Sequence, residues 1–442
     1  MCIKHIFFIY YIGDNMTLNE LVKVINGVSD INSDETINDI KTDTRKINKG
    51  DIFIALKGKN YNGEDFVDEA INKGAIACVV EKSINDKCIE VSDTIESLFL
   101  LGNYFRNKYK IPLIAITGSN GKTTTKDLLS HVLNSKYNVL KNEGNKNNII
   151  GVSDTLFKLN KNIDIIVMEL GTNHLGEISY LSKMCKPNIG IITNIGSSHL
   201  EYFKTRKNIF KEKLSIIEGM QDKKLILNGD DKYLKKIYGY KCGLNKNNEL
   251  KAYDIKEYID YITFKIFIDK EYEIRFNNPG IHFINDILLA IKCALEYDVD
   301  IETIIDKIGS FKLTNKRMNI IKINSNVLIN DCYNSSLESV IGGINYLKNI
   351  SYKKILIIGD ILELGKRSKK IHKKINKKLK KLKNKEVYTI GKYSKYIKGK
   401  HFSCVEEFID YIDNKGINNS YIYVKGSRRM NLDKFVNYIK KK

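Results

Sequence analysis

The chain's most specific chemistry lies in one glycine turn, Gly118-Ser119-Asn120-Gly121-Lys122-Thr123-Thr124. Its glycines let the backbone turn N–H groups inward, where they would surround phosphate oxygens. Lys122 would bridge the β- and γ-phosphates of a nucleotide, and the Thr123 hydroxyl would hold a magnesium ion. The general phosphate-loop pattern has four residues between its glycines; here there are two, so only Gly121-Lys122-Thr123 matches it. The competing reading is a glycine turn that caps a helix beside a chance lysine. An apolar run, Ile111–Ile116, enters the turn and a helical pattern leaves it from Thr123. That setting favours a nucleotide, because it aims the positive end of a helix dipole at the phosphates.

Two further strand ends carry suitable groups. The run Ile163–Met168 ends on Glu169, in Met168-Glu169-Leu170-Gly171-Thr172-Asn173-His174. The run Ile189–Thr193 leads into Asn194-Ile195-Gly196-Ser197-Ser198-His199. Ligands of parallel sheets gather at the carboxyl ends of the strands. Alone, Glu169 reads as an exposed turn residue and His199 as a structural histidine. Threonine, glutamate and histidine at three strand ends together read as a Mg-ATP site.

The elements that must position these groups alternate strand and helix. Leu225–Leu227 is a fourth buried strand, so the fold class is α/β with a parallel sheet covered on both faces. Tyr261–Ile268 and Tyr272–Phe276 read as an antiparallel hairpin across Asp269-Lys270-Glu271. A second α/β series begins near 313, with strands at Val327–Ile329, Lys354–Ile358, Val387–Ile390 and Tyr421–Val424. A smaller unit comes first, with strands at Ile52–Ala55 and Ala77–Val80. The expected domains are therefore 16–110, 111–312 and 313–442. Residues 1–15 read as an extension or a mis-called start, because Met16-Thr17-Leu18-Asn19-Glu20-Leu21 opens a fresh helix. The apolar stretch Ile6–Ile12 is too short for a membrane span and lacks a cleavage site.

Composition excludes several classes. With 442 residues and 43% hydrophobic content, the chain supports buried cores and needs no membrane. Its eight cysteines show no Cys-x-x-Cys spacing, which points to buried thiols in a reducing cytoplasm. The net charge of +21 invites a nucleic-acid reading. Lysine, asparagine and isoleucine are over-used throughout, however, which fits compositional drift better. The basic run Lys366–Lys385 carries Ile371, Ile375, Leu379 and Leu382 at helical spacing, as an amphipathic helix with a solvated face would. No nucleic-acid partner and no stable membrane insertion are expected.

These motifs, in this order, resemble the Mur ligase family. Thr117–Thr124 is similar to that family's own short phosphate loop, and Gly144-Asn145-Lys146-Asn147-Asn148-Ile149-Ile150-Gly151 follows it as it does there. Asp43-Thr44-Arg45-Lys46 and Gly50–Gly58 resemble the family's N-terminal UDP-sugar-binding domain. Gly359–Gly365 and Val424–Arg428 resemble the C-terminal Rossmann-like domain of the D-alanyl-D-alanine-adding, MurF-type branch. The likeness runs from about Met16 to the C-terminus.

The resemblance implies a three-domain, ATP-dependent amide ligase of peptidoglycan synthesis, cytoplasmic and monomeric. A carboxylate of UDP-N-acetylmuramoyl-tripeptide would take the γ-phosphate, and the amine of D-alanyl-D-alanine would attack the acyl phosphate. By the same likeness Thr123 and Glu169 hold one Mg²⁺, and His199 holds a second. Lys213, in Phe210-Lys211-Glu212-Lys213, matches a lysine that is often carbamylated and would add an anionic metal ligand. Asn285, Arg317, Asp331, Tyr333 and Asn334 would reach the nucleotide, and Thr44, Arg45, Asn147, Asn173 and His174 the substrates. Phe283 and Asp286 stand where the family usually has asparagines near the adenine, with Asn285 one place off. Cys332 and Ser335-Ser336-Leu337 replace the usual Ser and Ala-Asn-Pro, and Arg429 and Asn431 stand where glycines are common. These departures read as drift at tolerant positions. The alternatives are a diamino-acid-adding ligase, a folylpolyglutamate synthase or an ATP-binding protein without ligation. The Gly359–Gly365 and Asp43–Lys57 segments argue against the first two, and a separate substrate domain against the third.

Overall fold

The computed structural model describes residues 16–58, 61–313 and 316–441. Four sheets follow one another along the chain. The first is parallel, in the order β1 (Ile40–Lys41), β2 (Ile52–Ile54), β3 (Ala77–Val80), β4 (Cys88–Glu90). Helices α1 (Leu18–Val24) and α2 (Val67–Asn72) accompany it. Thr17 caps α1 by accepting from Glu20 N, so the helix expected after Met16 is present. Residues 1–15 lie outside the described residues.

Helix α3 (Thr94–Lys108) leads onward, capped by Asp93, which accepts from Ile95 N and Glu96 N. It leans on the helices of the next sheet, with Gly102 against Met184. Buried Arg106 fastens it there, donating to Cys185 O at 2.6 Å and Lys186 O at 3.2 Å.

The central sheet has seven parallel strands: β5 (Leu113–Thr117), β6 (Val139–Lys141), β7 (Ile165–Glu169), β8 (Ile189–Ile192), β9 (Lys224–Asn228), β10 (Tyr240–Gly243) and β11 (Leu250–Lys251). Their spatial order is β11-β10-β9-β8-β5-β7-β6. Helices α4 (Lys122–Leu133), α5 (Ile149–Leu156), α6 (Glu177–Cys185), α7 (Leu200–Phe203) and α8 (Arg206–Leu214) connect them. Every residue of β5, β7 and β8 is buried, as strands covered on both faces must be. The chain leaves β5 toward β7 and β6, then returns to β8 on the other side. The crevice at that reversal, beyond the strands' carboxyl ends, is where such sheets bind ligands.

A small antiparallel sheet follows: β12 (Tyr253–Glu257), β13 (Ile262–Phe267) and β14 (Glu271–Phe276). The expected hairpin is β13–β14, although Glu271 pairs with Phe267 rather than lying in the turn. Helices α9 (Phe283–Leu295) and α10 (Ile301–Ser310) complete this part.

The last sheet is ordered β15 (Asn319–Ile323), β16 (Asn326–Asn330), β20 (Ser420–Lys425), β17 (Lys353–Gly359), β18 (Lys385–Ile390), β19 (Lys400–Phe402). It is parallel except for β15 against β16. Helices α11 (Leu337–Leu347), α12 (Ser368–Leu379), α13 (Val405–Lys415) and α14 (Asp433–Lys441) pack on it. The basic run forms α12, with Ile371, Ile375 and Leu379 buried and its lysines outward. Six cysteines are buried free thiols, and among the described residues only Cys404 is exposed. No described helix is long and apolar enough to cross a membrane.

Candidate active site

The phosphate loop leaves β5 and is braced by the segment after β8. Ser119 N donates to Asn194 O at 3.0 Å, Asn120 N to Asn194 Oδ1 at 3.1 Å, and Gly196 N to Ser119 Oγ at 2.8 Å. Gly118 and Gly121 adopt φ of 147° and 85°. A Cβ on Gly118 would meet Thr193 Oγ1 at 1.9 Å, and one on Gly121 would meet Asp286 Oδ1 at 2.2 Å. Only glycine fits either place. No side chain caps α4, so its first N–H groups stay open to an anion. Lys122 Nζ curls back onto Gly118 O at 2.9 Å. Burial lowers the Lys122 ammonium's pKa, the Glu169 carboxylate opposes this, and Arg317 adds to it.

Glu169 is clamped at the end of β7. Asn142 accepts from Glu169 N at 2.9 Å and donates to Glu169 O at 2.9 Å. Asn147 Nδ2 donates to Glu169 Oε1 at 2.7 Å, while the buried Oε2 has no partner. A buried carboxylate oxygen left open in this way calls for an ion or a water. Nearby on α8, Lys213 is buried; burial, with the Lys122 charge next, drives its ammonium pKa well below the usual range. Its neighbour Glu212 holds the loop before α6, accepting from Thr172 Oγ1, Gly176 N and Ile178 N.

The C-terminal sheet supplies the opposite wall. Arg317 stacks on Tyr333, its guanidinium 4.3 Å from the ring centre, and its buried Nε is unpartnered. Asp331 Oδ2 accepts from Lys425 Nζ at 2.6 Å and Tyr423 Oη at 3.0 Å, so this carboxylate enters the site already paired. Ser336 caps α11 and donates to Asn120 Oδ1 in the phosphate loop at 2.9 Å. Glu338 accepts from Ser197 Oγ at 2.8 Å and pairs with Arg206. His199 Nδ1 lies 2.6 Å from Glu363 Oε2. Ser336, expected to be a tolerant position, therefore ties the two walls together.

Together these residues line a cavity of about 920 Å³. It gathers Ser119, Asn120, Gly121, Lys122, Thr123, Thr124, Glu169, His199, Asn285, Arg317, Asp331, Tyr333 and Asn334, with Asn147 and Asn173. Gly118 shapes the loop without lining the cavity, and Lys213 lies behind the wall. His174 is exposed, edge-on to Tyr202 at 5.1 Å. Thr44 and Arg45 sit in the first unit, apart from this cavity. Thr44 is buried there, and Arg45 is exposed, its Nε 2.8 Å from Asp43. Asn194, Arg206, Glu338, Glu363 and Lys425 also line the cavity and carry no mark in the sequence, since each owes its place to contacts far along the chain.

The α9 segment is a further departure. Asp286 is buried against Gly121, and burial pushes its carboxyl up to about 7, opposed by Arg317 and the Thr125 hydroxyl. His282 is exposed at the start of α9, its ring tilted against that of Phe283 with centres 4.2 Å apart. Asn285 Oδ1 is buried without a partner.

Three family models cover most of the chain: "Mur ligase family, catalytic domain" over residues 36–105, "Mur ligase middle domain" over 116–294, and "Mur ligase, glutamate ligase domain" over 316–428. The chain is 35% identical to the UDP-N-acetylmuramoyl-tripeptide–D-alanyl-D-alanine ligase of Buchnera aphidicola subsp. Baizongia pistaciae, with 96% of this chain and 97% of that one covered. MurF from Acinetobacter baumannii superposes with a TM-score of 0.92 at 28% identity, over 98% of this chain and all of that one. MurF from Thermotoga maritima, solved in complex with ADP, superposes with a TM-score of 0.84 at 25% identity, over 91% and 97%.

Proposed function

The chain belongs to the Mur ligase family, and from that premise we propose that it is the ATP-dependent ligase that joins D-alanyl-D-alanine to UDP-N-acetylmuramoyl-tripeptide in peptidoglycan synthesis. The observation that carries this reading is the single cavity in which the phosphate loop, Glu169 and the C-terminal wall meet.

The reaction follows from the residues. A carboxylate is a poor acyl donor. The tripeptide carboxylate attacks the γ-phosphorus of ATP, the bond to the β,γ-bridging oxygen breaks, and ADP leaves. The acyl phosphate then takes the amine of D-alanyl-D-alanine, which loses a proton as phosphate departs. Bringing an anion up to a triphosphate requires neutralised charge and fixed positions. Lys122 supplies a cation beside the loop, and the open N–H groups of α4 supply the anion seat. Arg317, on its aromatic platform, adds a second cation from the C-terminal side. The contacts Ser336–Asn120 and Glu338–Arg206 hold the two walls together, which excludes water from the acyl phosphate.

Mg²⁺ fits this chain. The unpartnered Glu169 Oε2 and the Thr123 hydroxyl are hard oxygen donors, and magnesium shared with phosphate oxygens needs only one or two protein carboxylates. No cluster of three His, Cys, Asp or Glu side chains stands ready as a cage among the described residues. Bound there, Mg²⁺ would neutralise phosphate charge. His199 would serve a second ion. Lys213, held toward its neutral amine by burial, is suited to take up CO₂ as a carbamate.

Residues 16–110 would bind the UDP-sugar peptide through Thr44 and Arg45, 111–312 the nucleotide, and 313–442 the incoming dipeptide while closing the site. Asn147, Asn173 and His174 would face the peptide. The protein works as a cytoplasmic monomer. The test is phosphate release from ATP with UDP-N-acetylmuramoyl-tripeptide, with and without D-alanyl-D-alanine. Release that requires both supports the reading. Release with a diamino acid and UDP-N-acetylmuramoyl-dipeptide in their place, or none at all, overturns it.

A further inference from the structure

The chain's charge is unevenly spread. Acidic residues number 52 in the 442-residue chain, yet Glu386 stands alone between Glu363 and Glu406. Over-use of lysine throughout does not account for this, since it would leave acids interspersed. The cations of that stretch are densest on α12. Its Lys369, Lys370, Lys373, Lys374 and Lys377 are exposed, while Ile371, Ile375 and Leu379 are buried in the core. Glu386 is already taken by Lys353 and Lys415, and no lysine of α12 has a carboxylate partner among the described residues.

The turn Ser394–Tyr396 widens the patch. Asn376 ties it to α12, donating to Tyr396 O at 3.0 Å and accepting from Lys398 N at 2.8 Å. Lys392, Lys395 and Lys398 are exposed there, beside half-buried Tyr393 and Tyr396. Lys369 Nζ lies 5.4 Å from the Tyr396 ring centre, and Lys392 Nζ lies 5.7 Å from that of Tyr393.

We propose that the exposed face of α12, with the turn beside it, is an electrostatic docking surface for a bilayer of anionic phospholipid. The proposal goes beyond the ligase reading and does not depend on it. Charge complementarity carries it: unpaired ammonium groups line one side of a helix about 18 Å long, and an anionic leaflet attracts such a segment. Lysines on flexible stems suit a plane of mobile headgroups, which demands no fixed geometry. A nucleic acid fits less well. Its single-stranded form binds through aromatic faces open to stacking, and here both tyrosines are half-buried with an ammonium over the ring. Because the apolar side of α12 is used inside the fold, nothing inserts, and the attachment is reversible and screened by salt.

The test is co-sedimentation of the full chain with vesicles of phosphatidylcholine alone, or of phosphatidylcholine with an equal part of phosphatidylglycerol. The wild type should bind the anionic vesicles, not the neutral ones, and should leave them as salt rises. One variant combines Lys370→Gln, Lys373→Gln, Lys374→Gln and Lys377→Gln. At about fivefold per lysine near such a surface, it should bind at least about 100-fold more weakly. A control of the same net charge combines Lys23→Gln, Lys49→Gln, Lys235→Gln and Lys246→Gln, at exposed positions away from α12. It should stay within about tenfold of wild type. Circular dichroism should show both variants folded, as exposed substitutions allow. Equal weakening in the two variants overturns the proposal, because net charge alone would then explain binding. Absence of binding to anionic vesicles, or equal binding to neutral ones, overturns it too. Tighter binding to single-stranded RNA than to the anionic vesicles would assign the face to nucleic acid instead.

Discussion

Asp286→Asn should remove part of the protein's loss of stability toward alkaline pH. The carboxyl lies in the first turn of α9, buried against Gly121. Burial raises its pKa from 3.8 to about 7. Between those values the folded chain keeps a proton that the unfolded chain has released. A raised carboxyl leaves stability intact below the unfolded pKa and removes it as pH climbs through the folded one. The gap between 3.8 and about 7, at about 1.4 kcal/mol per pH unit, amounts to about 4 kcal/mol by pH 8. Asparagine has the same shape and does not ionise. Relative to its offset at pH 4, the variant should therefore gain about 4 kcal/mol over wild type by pH 8, most of it before pH 7. Urea unfolding of both proteins at each pH cancels the other titrating groups. Hydrogen exchange of the α4 and α9 amides isolates the relevant unit, because a chain with several domains does not unfold in one step. Parallel profiles for the two proteins would refute the reasoning, since they would mean that Asp286 ionises at its ordinary value.

Lys122→Ala should abolish ADP formation and leave the circular dichroism spectrum unchanged; turnover at the wild-type rate with both substrates present would remove the phosphate-loop assignment. Gly121→Ala forces a Cβ at φ 85° to within 2.2 Å of Asp286 Oδ1, so calorimetry should show nucleotide binding lost, and unchanged affinity would contradict the tight fit. Asp331→Ala strands the Lys425 ammonium in the interior and should cost about 3–5 kcal/mol in denaturant titrations. Adding Lys425→Met should recover most of that loss, and failure to recover would show that the pair is not the cause. Chelation of divalent ions by EDTA should stop ADP formation, and continued turnover would exclude a metal role.

The phosphate loop and its flanking strands were legible in the sequence because their signals are local. Leu113–Thr117 and Ile165–Glu169 are unbroken apolar runs that end in a polar group, a pattern that buried parallel strands impose. Edge strands were less visible. Residues Asn319–Ile323 of β15 are mostly half-buried, and β19 spans only Lys400–Phe402, too short to show a pattern. Glu363, Glu338, Arg206 and Lys425 look like ordinary surface charges, and only the approach of two distant sheets gives them partners. Asp286 reads in the sequence as a lost asparagine. Its buried setting behind Gly121 depends on how α9 crosses α4, which no spacing along the chain records.

The strand order of the central sheet also constrains how the protein is made. β5 emerges from the ribosome before either of its neighbours, since β7 ends at Glu169 and β8 at Ile192. A nascent chain halted before Asn194 would carry the glycine turn without the segment that braces it. Nucleotide should therefore be unable to template early folding of the emerging polypeptide. Chaperones, rather than ATP as a ligand, would have to protect the apolar edges of β5 until β8 arrives.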